Sequence, residues 1–87
     1  MDFIKEEGRI YSLNSNGQVI AEITYVKEED NYYNINHTYV SDVLRGQGIG
    51  KILLKLAIED IESKNGKVRA TCEYAKAQLM KDKEKLT

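Results

Sequence analysis

The sequence predicts a small α+β domain: a mostly antiparallel sheet, one long helix packed on it, a parallel strand after that helix, and a terminal helix. Three observations predict this class. Apolar and polar residues alternate as far as Val40, the pattern then takes the helical period of about 3.6 residues as far as Lys64, and alternation returns from Lys67. A strand, helix, strand crossover of this kind normally makes its two strands parallel.

Composition is that of an ordinary globular chain. The 87 residues are 41% hydrophobic and 31% charged, which excludes the low-hydrophobicity, high-charge signature of disorder. A chain of this length has room for one core, so we expect one domain over residues 1–87, with residues 81–87 frayed. The formal net charge of -1 gives no overall attraction to nucleic acid or to an anionic membrane, and neither is expected as a partner.

Cysteine use predicts the compartment. The chain has one cysteine, Cys72, which cannot form an internal disulfide, whereas a small secreted domain usually needs several. The start of the chain has neither the basic nor the apolar segment of a signal peptide, and its apolar runs are too short to cross a membrane. We therefore expect a cytoplasmic protein.

The first half of the chain reads as an antiparallel meander. Arg9 to Leu13 is a short strand, and the Asn-Gly pair within Asn14 to Gly17 tolerates the positive φ of a tight hairpin turn. A second strand starts near Gln18, and a third covers Tyr32 to Val40, which is rich in β-forming residues. Period two places four residues of the third strand on one side. They are Tyr33, Ile35, His37 and Tyr39.

The second half begins with a long helix. It is predicted from near Gln47 to near Lys64, and we expect it to be largely buried, because its polar residues form a single stripe. That stripe consists of Lys51, Lys55, Glu59 and Glu62. Asn65 and Gly66 are a good helix stop. Lys67 to Cys72 then alternates as a fourth strand, and a second helix is predicted from Glu73.

A glycine-rich turn joins the third strand to the long helix. Gly46, Gly48 and Gly50 let the backbone approach a ligand and direct unpaired amides of the first helical turn outward, where the helix dipole favours an anion. Arg45 and Lys51 flank the turn and can add charge-assisted contacts to a diphosphate. The turn lacks the Lys-Ser/Thr pair of a Walker loop and the third glycine of a dinucleotide fingerprint. The alternative is that the glycines only end a strand and start a helix.

This turn carries a resemblance to a known family. The segment from Arg45 to Gly50, RGQGIG, resembles the Q/R-x-x-G-x-G/A acetyl-CoA signature of the GNAT acyltransferase superfamily. Two further segments, His37 to Val40 and Cys72 to Tyr74, resemble its minimal, YjdJ-like branch, which is similar in length and lacks the first two helices of the full fold. The resemblance covers roughly residues 9–80. It implies a GNAT-like fold and an acetyl-CoA-dependent N-acetyltransferase acting on an unidentified amine.

The resemblance also implies where acetyl-CoA, the expected cosubstrate, binds. It would lie in a gap where the strand ending at Val40 splays from the parallel strand ending near Cys72. Backbone groups of Thr38, Tyr39 and Val40 would hydrogen-bond the acetyl-pantetheine arm. Backbone amides of the turn would hold the pyrophosphate. The turn residues are Arg45, Gly46, Gln47, Gly48, Ile49, Gly50 and Lys51. No metal is expected.

Acetyl transfer to an amine needs a neutral nucleophile, a polarised thioester carbonyl and a proton source for the departing thiolate. His37 is the only histidine, and histidine is the side chain that changes charge near neutral pH, which suits a general base. Glu22, acting through a water molecule, is the alternative base. His37 could instead be a packed or surface residue without a chemical role.

Two further residues are expected to take part in the reaction. The resemblance implies Cys72 as an acetyl-accepting nucleophile that His37 could activate; direct transfer with Cys72 lining the pocket, or a buried cysteine with only a packing role, are the alternatives. Glu73 stands where that branch has proline, which departs from its pattern beside the cysteine. Tyr74 is the expected proton donor, or else a packed core residue.

Two other classes of function remain open. The chain could be a non-catalytic acyl-CoA-binding or interaction module on the same fold, because the missing helices usually help to shape the acceptor site. It could also be a structural protein that binds no nucleotide. The sequence leaves the oligomeric state open.

Overall fold

The protein is described by a computed structural model that covers residues 1–86 and the side chains of residues 1–81. Five strands form one sheet, and they lie side by side in the order in which they occur along the chain. The strands are β1 (Ile4–Glu6), β2 (Arg9–Leu13), β3 (Val19–Lys27), β4 (Tyr32–Val40) and β5 (Lys67–Ala70). The helices are α1 (Ile49–Ser63) and α2 (Glu73–Leu86). Neighbouring strands from β1 to β4 are antiparallel, and β5 is parallel to β4, as predicted.

Two hairpins build the first half of the sheet. The turn between β2 and β3 is the one predicted: Gly17 has φ +77, and the Asn14 side-chain carbonyl accepts the N–H groups of Asn16 and Gln18. β1 was not predicted, because its three residues are all exposed and show no alternation. It reaches β2 through Gly8, whose φ is +75 and where a Cβ would lie 2.7 Å from the carbonyl oxygen of Tyr25.

β4 carries one extra residue opposite β3. Thr24 pairs with His37 and Tyr25 pairs with Ile35, so Asn36 forms a β-bulge. The extra residue reverses the alternation: Ile35 is fully buried in the core, whereas the side chain of His37 is 54% exposed on the outer face. The prediction that His37 and Ile35 share one side is therefore wrong, because an inserted residue shifts every later side chain to the other face.

The core lies between the sheet and one face of α1. Its buried members are Ile10, Ala21, Ile23, Tyr25, Ile35, Ile49, Leu53, Leu54, Ala57, Ile61 and Ala75. α1 is less buried than predicted, since Ile52 on its far side is 42% exposed. The predicted bounds of this helix are off by two residues at its start and one at its end, because Gly48 lies in the left-handed region just before it.

Asp60 is a polar residue inside this core. Its carboxylate accepts a hydrogen bond of 2.6 Å from the Tyr25 hydroxyl and pairs with the ammonium groups of Lys5 at 2.9 Å and Lys64 at 3.2 Å. Burial alone would raise its pKa, but these partners outweigh burial and lower the pKa of Asp60 to about 2. The cluster ties β1, β3 and the end of α1 together.

α2 begins at Glu73, as predicted, and buries Ala75 in the core. β5 ends at Ala70, two residues before the predicted Cys72. The sequence predicts that residues 81–87 are frayed. The structure describes no side chains beyond residue 81, so from residue 82 onward this prediction lies outside the described side chains. No helix in the described part of the chain is long and apolar enough to cross a membrane.

Candidate functional site

β4 and β5 separate at one end of the sheet. Their parallel ladder runs from the Tyr32–Lys67 pair to the Ile35–Ala70 pair, after which the N–H groups of Thr71 and Cys72 both bond the Ile35 carbonyl at 3.1 Å. Beyond this point, β4 residues 36–40 have a free edge on the β5 side within the described residues. We call this opening, bounded by residues 35–40 and 70–72, the fork. It is the gap that the resemblance implied.

Asn34 holds the base of the fork. The residue is only 6% exposed. Its side-chain carbonyl accepts the N–H of Thr71 at 2.9 Å, and its amide donates to the Thr71 hydroxyl at 3.0 Å. Asn34 was missed at the sequence level. The available signal was an asparagine within a run of β-forming residues, because a buried amide there needs specific partners.

Cys72 lies at the β5 side of the fork, immediately before α2. Its Sγ is 3.4 Å from the Thr38 Oγ1, and the backbone N–H groups of Ala75, Tyr74 and Thr38 favour the ionised form and so lower its pKa. Burial would raise the pKa of this thiol, but the Thr38 hydroxyl and the backbone donors outweigh burial and lower the pKa. A cysteine at a helix start with a lowered pKa has more of the nucleophilic thiolate form.

Tyr74 lies across the start of α1, beside the fork. A Cβ built on Gly50 would lie 2.6 Å from the Tyr74 hydroxyl oxygen, so the phenol rests directly on the first turn of α1. Burial raises the pKa of Tyr74, and the charge of Cys72 raises it further. The phenol therefore stays protonated at neutral pH and can act as a proton donor.

A cavity of about 540 Å³ opens at the fork. Its walls come from the end of β4, the turn that follows and the start of α2: Thr38, Tyr39, Val40, Ser41, Asp42, Arg45 and Tyr74. The three strand residues expected to hold a pantetheine arm all lie on this wall. The volume is in the range of small-molecule sites.

The turn between β4 and α1 leaves backbone donors open. Gly46 and Gly48 have φ of +83 and +73, and a Cβ on either would meet no described atom within 4 Å. Gly48 precedes α1 without a side-chain cap from the described residues, and the first bond into the helix runs from the Ile52 N–H to the Gly48 carbonyl. The N–H groups of residues 49–51 thus have no acceptor inside α1, which is the arrangement that binds anions.

Other groups of the turn already have partners. The N–H of Arg45 bonds the Asp42 carbonyl at 3.2 Å, and the N–H of Gln47 bonds the Leu44 carbonyl at 3.3 Å. The Arg45 side chain pairs with the Asp42 carboxylate at 2.9 Å. Of the predicted pyrophosphate donors, the N–H groups of Arg45 and Gln47 are therefore already bonded, and those of residues 49–51 have no acceptor inside α1.

The Lys51 side chain lines a different cavity. A groove of about 720 Å³ runs between α1 and α2, with Lys51 at its edge. This groove is larger than the cavity at the fork, but its lining contains no thiol, phenol or imidazole group. The fork, which has a thiol and a phenol beside it, is therefore the better candidate for chemistry.

His37 and Glu22 lie together on the outer face of the sheet. The His37 Nε2 is 3.5 Å from one Glu22 oxygen, and the Arg9 guanidinium bonds the other. Thr38, which contacts Cys72, points to the opposite face. The structure therefore brings Cys72, Thr38 and Tyr74 together but does not bring His37 to the thiol.

The family follows from comparison with known proteins. Residues 10–86 match the family described as GCN5-related N-acetyl-transferase. The chain belongs to this family of acetyltransferase enzymes. The family resemblance and the α+β fold class predicted from the sequence are confirmed by this match and by the solved structures below. No curated protein matches the chain.

Several solved structures share the fold. A GCN5-like candidate N-acetyltransferase from Staphylococcus aureus is 40% identical, with a TM-score of 0.79, over 95% of this chain and 81% of that chain. The IAA acetyltransferase from Bacillus cereus is 24% identical, with a TM-score of 0.65, over 83% of this chain and 49% of that chain. A candidate streptothricin acetyltransferase from Bacillus anthracis, solved with acetyl coenzyme A, is 22% identical, with a TM-score of 0.65, over 85% and 44%. The chain thus spans about half of the two larger proteins, and the likeness to them concerns the fold alone.

Proposed function

We propose that this chain is an acetyl-CoA-dependent N-acetyltransferase that binds acetyl-CoA at the fork and acetylates an amine. The observation that carries this proposal is a free strand edge beside an uncapped helix start. The edge of β4 at residues 38–40 can bond an amide-containing arm as an added strand would, and the N–H groups of residues 49–51 can bind a diphosphate. Coenzyme A carries these two groups in series. The larger neighbour solved with acetyl coenzyme A supports the choice of ligand.

The environment of Cys72 supports a covalent route. The Cys72 thiolate attacks the acetyl carbonyl, the bond from that carbon to the coenzyme sulfur breaks, and the departing thiolate takes a proton from Tyr74. The amine then attacks the thioester on Cys72, loses a proton to a base, and the Cys72 thiolate leaves. The lowered pKa of Cys72 and the raised pKa of Tyr74 suit these two roles.

Direct transfer uses the same cavity without the covalent step. The amine attacks the acetyl carbonyl of the coenzyme, Tyr74 protonates the departing thiolate, and Cys72, which is not among the residues that line the cavity, takes no part. Either route needs a base that takes a proton from the amine. His37 lies beside Glu22 on the outer face of the sheet, and this position suits a base that acts, directly or through water, on an amine arriving from that face.

Binding and turnover test the proposal separately. Titration calorimetry with acetyl-CoA should give saturable heat, and a thiol-release assay with a panel of primary amines should give release that depends on the amine. The absence of heat at millimolar acetyl-CoA would contradict the proposed ligand. Binding without amine-dependent release would contradict the enzyme and favour a binding module.

Only the covalent route forms an acetylated protein that can be trapped when no amine is present. On the covalent route, the chain incubated with acetyl-CoA and no amine should gain one acetyl group, seen by intact mass and mapped to Cys72, and Cys72→Ala should remove both adduct and activity. Full activity of Cys72→Ala would leave direct transfer as the route. A nucleophilic thiol must stay reduced, which supports a cytoplasmic location.

A further inference from the structure

Gly50 differs from the other two glycines of the turn. Gly46 and Gly48 have positive φ and face open space, whereas Gly50 is a buried residue within α1. A Cβ on Gly50 would lie 2.6 Å from the hydroxyl oxygen of Tyr74, 2.8 Å from its Cζ and 3.1 Å from its Cε2. All three distances are shorter than an ordinary van der Waals contact, so a side chain at residue 50 and the present position of Tyr74 exclude each other.

The helix itself gives no reason for glycine at this position. Glycine inside a helix is less stable than alanine, because the unfolded chain loses more conformational freedom. A ligand held by backbone N–H groups of the first turn would find the same groups in alanine. The three atoms nearest to a Cβ at residue 50 all belong to Tyr74, which points to the phenol as the reason.

We propose that Gly50 is a positioning residue for Tyr74. Its bare Cα lets the phenol lie across the first turn of α1 and form the wall of the cavity at the fork together with Thr38 and Arg45. A methyl group at residue 50 would push the hydroxyl away from this place and misalign the proton donor. The inference rests on the proposed function, because its catalytic consequence is proton donation by Tyr74.

A stability measurement tests the steric pairing without any ligand. Gly50→Ala is made in the natural chain and in a Tyr74→Ala background, and the melting temperature is measured for all four proteins. We expect Gly50→Ala to raise the melting temperature less in the natural chain, where the Tyr74 side chain must move, than when residue 74 is alanine. Helix propensity alone would raise it equally in both backgrounds, and that result would overturn the proposal. Loss of folding in both backgrounds would overturn it too, since something other than Tyr74 would then exclude the methyl group.

A kinetic measurement tests the positioning role. Gly50→Ala should lower kcat by on the order of 10-fold or more while KM for acetyl-CoA stays within about 2-fold, since misplacing a proton donor affects the chemical step. Tyr74→Phe should act in the same direction, and Gly50→Ala added to Tyr74→Phe should lower kcat no further. Multiplicative effects of the two substitutions, or a change confined to KM, would contradict the role.

These measurements separate the two proposals. A natural chain that binds no acetyl-CoA would contradict the proposed function, whatever the melting temperatures show. A chain that turns over normally but whose melting temperature rises equally with Gly50→Ala in both backgrounds would contradict only the pairing of Gly50 with Tyr74.

Discussion

The polar groups at the two ends of α1 differ in whether they have hydrogen-bond partners within the protein. Near its C-terminal end, the buried Asp60 carboxylate is bonded by Tyr25, Lys5 and Lys64. At its N-terminal end, the helix starts after the bare Gly48 and leaves the N–H groups of residues 49–51 without acceptors inside the helix. A group that is already bonded within the protein contributes to stability, and a group left open is available to a ligand. One end of α1 therefore stabilises the fold, and the other end has open N–H groups that a ligand can bond.

The sheet shows the same division along β4. Residues 32–35 pair with strands on both sides, whereas residues 36–40 pair with no strand other than β3 within the described chain. Every buried side-chain nitrogen and oxygen in the described residues has a hydrogen-bond partner. The open groups at the fork are backbone groups at a free edge and a helix start, which water can satisfy until a ligand displaces it.

The largest expected effect comes from closing the open end. Gly48→Val places a β-branched residue at φ +73, where it is strained and blocks the approach of the ligand to the backbone. We expect the Kd for acetyl-CoA to rise by on the order of 100-fold, measured by titration calorimetry. The matched control is Gly17→Val in the β2–β3 hairpin, which has φ +77 and is equally open. It should lose stability similarly but bind normally, and near-normal affinity of folded Gly48→Val would refute the anion site.

The next effect concerns the bonded end of α1. Asp60→Ala leaves the Tyr25 hydroxyl buried without its acceptor, so we expect the free energy of unfolding to fall by about 2 kcal/mol, measured in urea. Glu59→Ala, at the exposed neighbouring position, should change it by less than about 0.5 kcal/mol. The Kd for acetyl-CoA should not change for either variant. A large loss of affinity in Asp60→Ala would mean that the two ends of α1 are not independent.

The same carboxylate makes stability depend on acid pH. The pKa of Asp60 in the folded chain, about 2, lies below its ordinary value of 3.8. The stabilisation from ionised Asp60 is therefore fully present above about pH 4 and is lost as the pH falls from about 4 to about 2, by roughly 2 kcal/mol. Unfolding in urea across this range should show the loss in the natural chain and a smaller loss in Asp60→Asn. Equal slopes for the two proteins would show that other carboxylates dominate.

A smaller effect is expected at the base of the fork. Asn34→Ala removes both side-chain bonds to Thr71 but leaves the Thr71 N–H its bond to the Ile35 carbonyl. We expect a loss of stability of about 1 kcal/mol and a rise of a few-fold in the Kd for acetyl-CoA, because the fork is less well defined. Asn16→Ala, at an exposed position of the β2–β3 turn outside the fork, is the matched control for binding. Equal affinities for the two variants would contradict a positioning role for Asn34.

The smallest effect concerns the thiol. Thr38→Val removes the hydroxyl that bonds the Cys72 Sγ but keeps the backbone groups expected to bind the ligand. We expect the pKa of Cys72, measured from the pH dependence of alkylation by iodoacetamide, to move up towards that of an ordinary cysteine. Thr24→Val, on the outer face of the sheet, should leave it unchanged. If the alkylation profiles of Thr38→Val and the natural chain coincide, the hydroxyl does not set the state of the thiol.

Local signals predicted much of this fold. The bounds of β2 and β4 and the start of α2 follow from alternation and from helix and turn signals within a few residues. The open amides of the turn were also predictable, because a glycine before an apolar helix leaves that helix uncapped wherever it is placed. The position of Cys72 near the end of a strand followed in the same way.

What the sequence by itself determined is therefore the order of the elements from β2 onward, the glycine-rich turn with its open N–H groups and the candidate side chains. Only the tertiary structure decided which of them meet: the Asn36 bulge turns His37 away from Ile35, Asp60 is buried among distant partners, and Gly50 lies under Tyr74. The physical reason is distance along the sequence. Periodicity and turn chemistry depend on residues that are close in sequence. The effects of a bulge, a buried charge and a missing Cβ depend on atoms that the fold brings from distant parts of the chain.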